Sequence, residues 1–325
     1  MTIKSTLIAL LLSVASLVSA TQAAEITLKA SHNANATEPY NLGMERMSEL
    51  LKEKTGGKAE IQVFPNAQLG DEMESIQGTQ IGTIDIAVTA NETLVNFAPN
   101  LGVFSMPFLF EDAEQMDRAL NAPEVRAYVN EVLGKQGFRL IGFFSAGTRH
   151  IMTKKPVTSM QDLSGMKIRT MQNPAHLAAF KDFGANPTPL AYSELYGALE
   201  TGVVDGAEAA NTNYYSKKFY EVAPNWAIVG WLELVAPVIM GEARFQQLPE
   251  DVQKALTEAG TQAAAYQRKT YRESDAKLYD ELIKAGVNVT KPDVAPFRAE
   301  ADKIYATYVT TDEQKRLVEL LKTVK

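Results

Sequence analysis

Residues 249–285 form the longest stretch of this sequence that favours one uninterrupted helix. After Pro249, which opens the stretch, Gly260 is the only strong helix breaker, and apolar residues recur at helical spacing, among them Val252, Leu256 and Ala263. At 1.5 Å per residue such a helix is roughly 55 Å long, which exceeds the width of a small domain. We therefore expect this helix to cross between two lobes of one protein.

A strand–helix–strand passage occurs twice in the chain. In both copies the helix stops at a glycine, and the following strand carries the pattern Gly-x-(Ile/Val)-Asp-x-Ala, at residues 82–87 and 202–207. Strand–helix–strand units build parallel sheets. The chain is also long enough for two domains, because single cores stop growing at about 250 to 300 residues. Length and repetition together predict an α/β protein with two similarly built lobes and a ligand cleft between them.

The expected lobes are each made of two separate chain segments. Lobe I comprises residues 25–148 and 237–276, and lobe II comprises residues 149–236 and 277–325. A strand over residues 138–145 is expected to end before A-G-T-R-H, which puts Arg149 in a loop or at a strand end. Two more apolar strands are expected at 226–231 and 234–240. No low-complexity linker interrupts these segments, so crossing strands and the long helix are expected to join the lobes.

Residues 1–24 have the composition of an export signal. Lys4 gives a positive start, Leu7–Val18 is a short apolar run, and small residues at 19–24 offer cleavage sites. The apolar run is shorter than the roughly 20 residues that span a bilayer. We therefore predict a cleavable signal peptide over residues 1–24 and an exported mature protein.

The composition of the chain excludes several kinds of chemistry and partner. Cysteine is absent, which removes disulfides, thiol nucleophiles and thiolate metal sites. The chain carries 39 acidic and 32 basic side chains, and one of the basic ones is Lys4 of the leader. This negative balance disfavours nucleic acid and anionic membranes as partners. An acidic protein that binds an anion needs a few locally placed arginines.

The sequence gives little support for a catalytic site. His32, His150 and His176 do not have the spacing of metal ligands. The chain has no Gly-x-Ser-x-Gly elbow, no Walker loop and no Gly-x-Gly-x-x-Gly motif. We therefore expect a protein that is not an enzyme and that needs neither a metal nor a cofactor. The alternative is a secreted enzyme acting on acidic sugars, with Asp71 or Glu72 as the acid or base.

Two arginines have positions that suit an anion site. Arg169 lies near the end of a predicted strand, Met166–Thr170, before a polar turn that stops at Pro174. Ligands of open α/β sheets collect at the carboxyl ends of strands, and a guanidinium matches a carboxylate through two parallel hydrogen bonds. An isolated arginine is more often exposed in a surface salt bridge. However, Arg149 also follows a strand of lobe II, which would let both side chains point into one cleft.

Polar side chains that follow other predicted strands are further candidates for the cleft. Those able to exchange hydrogen bonds with ligand hydroxyl groups are Asn33, Glu72, Asn91, Tyr192, Asn211 and Tyr214. Asparagine is common in turns for reasons unrelated to binding. Each of these residues, taken alone, is more simply explained by ordinary loop chemistry.

Six motifs follow one another along the mature chain. They are Q-L-G-D-E at 68–72, F-S-M-P-F-L-F at 104–110, G-T-R at 147–149, G-M-K-I-R-T-M-Q-N-P at 165–174, F-G-A-N-P-T-P-L-A-Y-S-E-L-Y-G-A-L-E-T-G-V-V-D-G-A-E at 183–208 and K-F-Y-E-V at 218–222. In content, order and spacing the chain resembles the periplasmic solute-binding proteins of TRAP transporters. The resemblance implies a two-lobed α/β binding protein that closes on an organic anion.

The resemblance also implies roles for candidate residues. Arg169 would make the two-pronged bridge to a substrate carboxylate, and Arg149 would assist it. The other implied cleft residues are Asn33, Glu72, Gln172 and Tyr192. Several sialic-acid and uronate binders of the family carry Asn directly after the D-G-x-E segment, where this chain has Ala209. Asn211 is the candidate to replace that amide.

We therefore expect a periplasmic protein that captures a small organic acid and delivers it to the membrane subunits of a TRAP permease. Polar side chains outnumber apolar ones among the candidate contacts. This favours a hydroxylated acid such as a uronate or an aldonate. A C4-dicarboxylate or a 2-oxoacid is the alternative within the same family, since a second carboxylate could occupy Arg149.

Overall fold

One nine-stranded sheet runs through residues 24–324, the part of the chain that the computed structural model describes. Its strands are β1 (Ile26–Ser31), β2 (Ala59–Phe64), β3 (Ile86–Val88), β4 (Phe138–Thr153), β5 (Lys167–Thr170), β6 (Asn186–Pro189), β7 (Gly206–Ala209), β8 (Asn225–Gly241) and β9 (Asn288–Thr290). The strand order is β2-β1-β3-β8-β4-β7-β5-β6, and β9 pairs with β8. The predicted signal peptide lies outside the described residues, apart from Ala24.

Helices connect and flank these strands. They are α1 (Pro39–Lys54), α2 (Glu72–Ile81), α3 (Asn91–Leu94), α4 (Ala113–Asn121), α5 (Pro123–Gly134), α6 (Pro174–Asp182), α7 (Leu195–Thr201), α8 (Asn211–Ser216), α9 (Glu242–Gln246), α10 (Glu250–Lys284), α11 (Ala295–Tyr308) and α12 (Asp312–Thr323). Within the described residues, no helix has both the length and the apolar character that crossing a membrane requires.

The long strands β4 and β8 belong to both ends of the sheet. At one end β8 pairs with β3 through residues 238–240, and at the other end β4 pairs with β7 through residues 150–153. The strands β1, β2 and β3 therefore form one lobe, and β5, β6, β7 and β9 form the other. This confirms the predicted two-lobed α/β architecture, whereas the residue boundaries of the two lobes stay a prediction.

The strand that carries Arg149 does not end where the sequence analysis expected. Instead β4 continues without interruption to Thr153, so Arg149 lies inside a strand, and the prediction of a loop or strand end was wrong. The pairing with β8 shifts register between Ser145 and Thr148, and Gly147 has a φ of 79°. The A-G-T-R segment is therefore a bulge, which bends a strand without ending it. The two strands expected at 226–231 and 234–240 are likewise one strand, β8.

The repeated aspartate of the two lobes has the same role in both. In lobe I the backbone N of Asp85 donates to the carbonyl oxygen of Lys29 (3.0 Å), and the Lys29 N donates back to Asp85 Oδ2 (2.7 Å). In lobe II the Asp205 N donates to Lys167 O (2.7 Å), and the Lys167 N donates to Asp205 Oδ2 (2.9 Å). Each aspartate thus ties the start of one strand to its neighbour.

The predicted long helix is α10, and it packs on both lobes. It contacts α1 of lobe I, α8 of lobe II and the crossing strand β4. It approaches the sheet closely at Gly260, where an added Cβ would lie 2.4 Å from the carbonyl oxygen of Ile141. A glycine is therefore required at this crossing, although glycine is otherwise unfavourable inside a helix.

Replacing Gly260 with alanine should lower the stability of the protein. Alanine favours a helix over glycine by about 1 kcal/mol, but the new methyl group would force α10 away from β4. We expect a lower urea midpoint for Gly260→Ala. The control is Gly197→Ala in α7, where an added Cβ would have no described atom within 4 Å apart from its chain neighbours and the backbone of its own helix. The control should keep or raise the midpoint, and a Gly260→Ala midpoint at or above that of the wild type would contradict the prediction.

Candidate functional site

Three neighbouring strands of lobe II bring two arginines and a glutamate together. Arg149 lies on β4, Glu208 on β7 and Arg169 on β5, and the strand order β4-β7-β5 places the glutamate in the middle. The exposed fractions of these residues are 3%, 1% and 3%. Neighbouring strands lie about 4.8 Å apart, which lets one carboxylate reach both guanidinium groups. We call these residues the Arg149–Glu208–Arg169 cluster.

Arg149 is held almost entirely by the protein. Its Nε donates to Glu208 Oε2 (2.6 Å), and its Nη2 donates to the carbonyl oxygen of the same residue (3.2 Å). Its Nη1 donates to the carbonyl oxygen of Ala146 (3.1 Å) and to Asn213 Oδ1 (3.0 Å). Most donors of this guanidinium therefore already have acceptors, and its main effect on a ligand is its charge.

Arg169 is held along one edge only. Its Nε and Nη2 both donate to the carbonyl oxygen of Leu190, at 3.0 and 2.8 Å. Its Nη1 lies 3.6 Å from Glu208 Oε1, which is an ion-pair distance but too long for a hydrogen bond. The guanidinium is thus fixed in position while its Nη1 side stays free for an anion. Arg169 is the third of the four residues of β5, which agrees with its predicted position near the end of a strand.

The charges of the cluster do not cancel. Burial alone would raise the pKa of Glu208, but the charges of both arginines and the hydrogen bond from Arg149 outweigh it and hold that pKa below its usual range. Burial would lower the pKa of Arg149, but the Glu208 carboxylate outweighs it and raises that pKa. Burial lowers the pKa of Arg169. An arginine still keeps its proton, so two positive charges face one negative charge.

A cavity of about 100 Å³ lies between the lobes at this cluster. This volume is several times the roughly 10 to 15 Å³ that one water molecule needs. The predicted site residues that line the cavity are Asn33, Glu72, Arg149, Arg169, Gln172 and Tyr192. The hydroxyl of Tyr192 is buried and has no hydrogen-bond partner among the described residues. A buried hydroxyl of this kind is available to a ligand.

Three predicted site residues, Asn91, Asn211 and Tyr214, lie away from the cavity. Asn91 donates to the carbonyl oxygen of Leu101 (3.0 Å). The hydroxyl of Tyr214 donates to the carbonyl oxygen of Ala223 (2.6 Å). Asn211 donates to Asp275 Oδ2 (2.9 Å) and accepts from Trp226 Nε1 (2.9 Å). All three side chains have hydrogen-bond partners within the protein, and Asn211 is not among the described residues that line the cavity.

The cavity also contains residues that the sequence analysis did not select. Glu38 accepts a hydrogen bond from Asn213 Nδ2 (2.9 Å) across the cleft. Tyr271 of α10 donates its hydroxyl to the carbonyl oxygen of Ala146 (2.8 Å). These residues are far apart in the chain and belong to no motif that we used, so their pairing was invisible in the sequence.

The wall that lobe I presents to the cavity is acidic. It contains Glu38, Asp71 and Glu72. Glu72 accepts from the backbone N of Ala90 (3.0 Å) and from the hydroxyl of Thr93. Burial raises the pKa of Glu38, and burial followed by the charge of Asp71 raises that of Glu72. The cavity therefore has a cationic side in lobe II and a side rich in hydrogen-bond acceptors in lobe I.

Comparison with known proteins identifies the family. The model of bacterial extracellular solute-binding protein family 7 matches residues 30–312. The chain belongs to this family. The match confirms the resemblance inferred from the six motifs, and it makes the chain a member of a family of solute receptors. The roles of individual cavity residues stay predictions.

Several relatives of known structure or name are similar over most of their length. The 2,3-diketo-L-gulonate-binding periplasmic protein of Escherichia coli is 30% identical over 81% of this chain and 80% of its own. A TRAP periplasmic solute-binding protein from Xanthobacter autotrophicus with bound β-D-galacturonate has a TM-score of 0.89 and 28% identity, covering 92% and 100% of the two chains. One from Roseobacter denitrificans with bound L-galactonate has a TM-score of 0.86 and 30% identity, covering 92% and 99%.

A buried acid–imidazole pair joins the lobes close to the arginines. Glu92 Oε1 on α3 lies 3.6 Å from His176 Nε2 on α6, and both side chains are fully buried. Burial is the largest cause of both pKa shifts, raising the pKa of Glu92 to about 8 and lowering that of His176 to about 3. Both groups are therefore mostly neutral near pH 7.

Replacing Glu92 with glutamine should remove one source of pH dependence in stability. The folded-state pKa of about 8 lies above the ordinary value of 4.5, so the wild type loses stability as the pH rises between these values. Each pKa unit corresponds to about 1.4 kcal/mol of unfolding free energy. Glutamine has no such proton, so the Tm of Glu92→Gln relative to wild type should rise from pH 5 to pH 8.

The control for this prediction is Glu131→Gln. Glu131 is exposed and pairs with Lys135 at 3.0 Å, and that contact lowers the pKa of Glu131. Its replacement should give no relative gain in Tm with rising pH. A difference in Tm between Glu92→Gln and wild type that is constant from pH 5 to pH 8 would show that Glu92 does not titrate as described.

Proposed function

We propose that this receptor captures a hydroxylated monocarboxylate, a uronate or an aldonate, in the cavity between its lobes. The observation that carries the proposal is the unequal charge of the Arg149–Glu208–Arg169 cluster. Glu208 offsets one arginine and leaves about one positive charge buried beside the cavity. One ligand carboxylate at the Nη1 side of Arg169 would complete the charge balance, since buried charges need partners.

The rest of the cavity favours hydroxyl groups over a second carboxylate. Among the described residues that line it, the cationic side chains are Arg149 and Arg169. On the opposite wall Glu38 and Glu72 can accept hydrogen bonds from hydroxyl groups, and the carboxylate of Asp71 repels an anion. This distribution supports a sugar acid over the C4-dicarboxylate and 2-oxoacid alternatives.

The relatives support the same substrate class. Galacturonate and L-galactonate are the ligands bound in the two solved structures described above, and the relative from Escherichia coli is named for 2,3-diketo-L-gulonate. All three ligands are six-carbon acids with one carboxylate and several oxygen substituents. A cavity with one excess positive charge and many acceptors suits this chemistry.

We infer that the receptor works in the periplasm, is exported by residues 1–24, and delivers its ligand to the membrane subunits of a TRAP permease. The similar structures from Xanthobacter autotrophicus and Roseobacter denitrificans, which are TRAP periplasmic solute-binding proteins, support this inference. We also infer that the receptor is not an enzyme. The cavity carboxylates Asp71 and Glu72 accept hydrogen bonds from the protein itself, which suits binding better than proton transfer.

Thermal unfolding with a panel of ligands tests the substrate class. We expect D-galacturonate and L-galactonate to raise the Tm, because a ligand at about 100 times its Kd adds roughly 2.7 kcal/mol of stability. Succinate should have a smaller effect, and neutral D-galactose should have none. A larger shift with succinate would favour the dicarboxylate alternative, and a shift with galactose alone would contradict the role of the arginines.

Replacing Arg169 with lysine should weaken binding of the effective acid by about 10- to 100-fold, because each charge-assisted bond contributes about 1.5 to 3 kcal/mol. An ammonium keeps the charge, but all its donors lie on one nitrogen, so it lacks the separate edges with which the guanidinium bonds Leu190 and faces the ligand. The control is Arg46→Lys, which changes a surface pair with Glu49 and should leave the Kd unchanged in calorimetric titration. An unchanged Kd for Arg169→Lys would refute the anchor role.

A further inference from the structure

Asp71 makes hydrogen bonds to both lobes. It is the residue that precedes α2, and its Oδ1 accepts from the backbone N of Glu72 (2.8 Å) and from Asn33 Nδ2 (2.8 Å), both in lobe I. Its Oδ2 accepts from the backbone N (3.0 Å) and the hydroxyl (2.8 Å) of Ser193 in lobe II. One carboxylate therefore caps its own helix and binds the opposite lobe.

We propose that Asp71 and Ser193 form a latch that stabilises the closed state of the receptor and slows release of the ligand. The inference deepens the proposed function and rests on it where ligand release is concerned. The Asp71–Ser193 latch is a positioning contact, because each oxygen of Asp71 already accepts two hydrogen bonds from the protein. No lone pair is left for a ligand hydroxyl, although Asp71 borders the cavity.

The hydrogen bonds that Asp71 accepts within lobe I and those that it accepts across the cleft respond differently when the lobes open. The bonds from Glu72 and Asn33 lie within lobe I and survive a rigid rotation of the lobes. The bonds from Ser193 cross the cleft and break as soon as the lobes separate. Asp71 is thus held ready by lobe I in either state, and it gains two donors only when the cleft closes.

The position of Ser193 makes the contact specific to closure. Ser193 lies in the short 3-10 turn at residues 192–194 that leads into α7, directly after the cavity residue Tyr192. The helices α2 and α7 occupy corresponding places in the repeated passages of the two lobes. The latch therefore joins the beginning of α2 in lobe I to the turn that precedes α7 in lobe II, at the edge of the cavity.

The test separates the latch from the helix cap. Asp71→Ser keeps a side chain that caps α2 well but removes the oxygen that reaches Ser193. Ser193→Ala removes the hydroxyl donor and keeps the backbone N. With D-galacturonate as the probe, we expect dissociation in stopped-flow experiments to be about tenfold faster for Asp71→Ser, which corresponds to about 1.4 kcal/mol. Association should change little, since interface changes act mainly on release.

A double variant adds a readout that a purely structural role would not produce. Because both residues act through one contact, Asp71→Ser/Ser193→Ala should release ligand no faster than Asp71→Ser alone. The control is Asp112→Ser, since Asp112 caps α4 through Gln115 N (2.7 Å) outside the cavity. The control should release ligand at the wild-type rate. Multiplying effects in the double variant, or equal rates in all variants, would overturn the latch.

A distance measurement tests whether the latch stabilises the closed state, and it does not depend on the identity of the substrate. The chain has no cysteine, so spin labels at Gln77→Cys on α2 and Glu200→Cys on α7 report only the separation of the lobes. In ligand-free protein, the short closed distance should be less populated in Asp71→Ser than in the wild-type background, and equal populations would overturn the latch. Failure of the proposed function would appear separately, as a wild-type protein that no acid of the panel stabilises.

Discussion

One buried glutamate shared by two arginines is the interaction on which the binding site depends. Burying three charges costs free energy that good geometry and complete hydrogen bonding must offset. Adjacent strands supply that geometry, because Glu208 lies on the strand between those of Arg149 and Arg169. Without the glutamate, two like charges would face each other in a dry site. With it, lobe II holds a rigid cationic surface before any ligand arrives.

The elements that run between the lobes connect this cationic surface to lobe I. Arg149 belongs to β4, which is also a strand of lobe I, and the bulge at Gly147 lies just before it. The helix α10 packs on both lobes and contributes Tyr271 to the cavity. Since β4, β8 and α10 all cross, relative motion of the lobes must bend these three elements together. A small set of shared elements thus links cavity shape to lobe position.

Local rules were enough for most of the fold and for selecting six candidate residues that line the cavity out of nine. The structure gives Glu250–Lys284 as one helix close to the predicted bounds of 249–285, because the spacing of apolar residues acts over a few residues. Arg149 was misplaced because a bulge at a glycine resembles a strand end in sequence. Asn211 and Tyr214 were assigned to the cavity because their hydrogen-bonding capacity is visible in the sequence. The acceptors that they actually bind are set by tertiary packing and are not visible in the sequence.

The strand order has a consequence for how the chain folds as it emerges from the ribosome. Lobe I cannot complete its sheet early, because β3 pairs with the far end of β8, which is synthesised only after most of lobe II. Until residues 238–240 appear, β3 presents an open edge, and pairing over such a sequence separation is slow. The N-terminal lobe thus stays incomplete until most of the other lobe has been synthesised, and a chain interrupted before β8 would expose an edge prone to association.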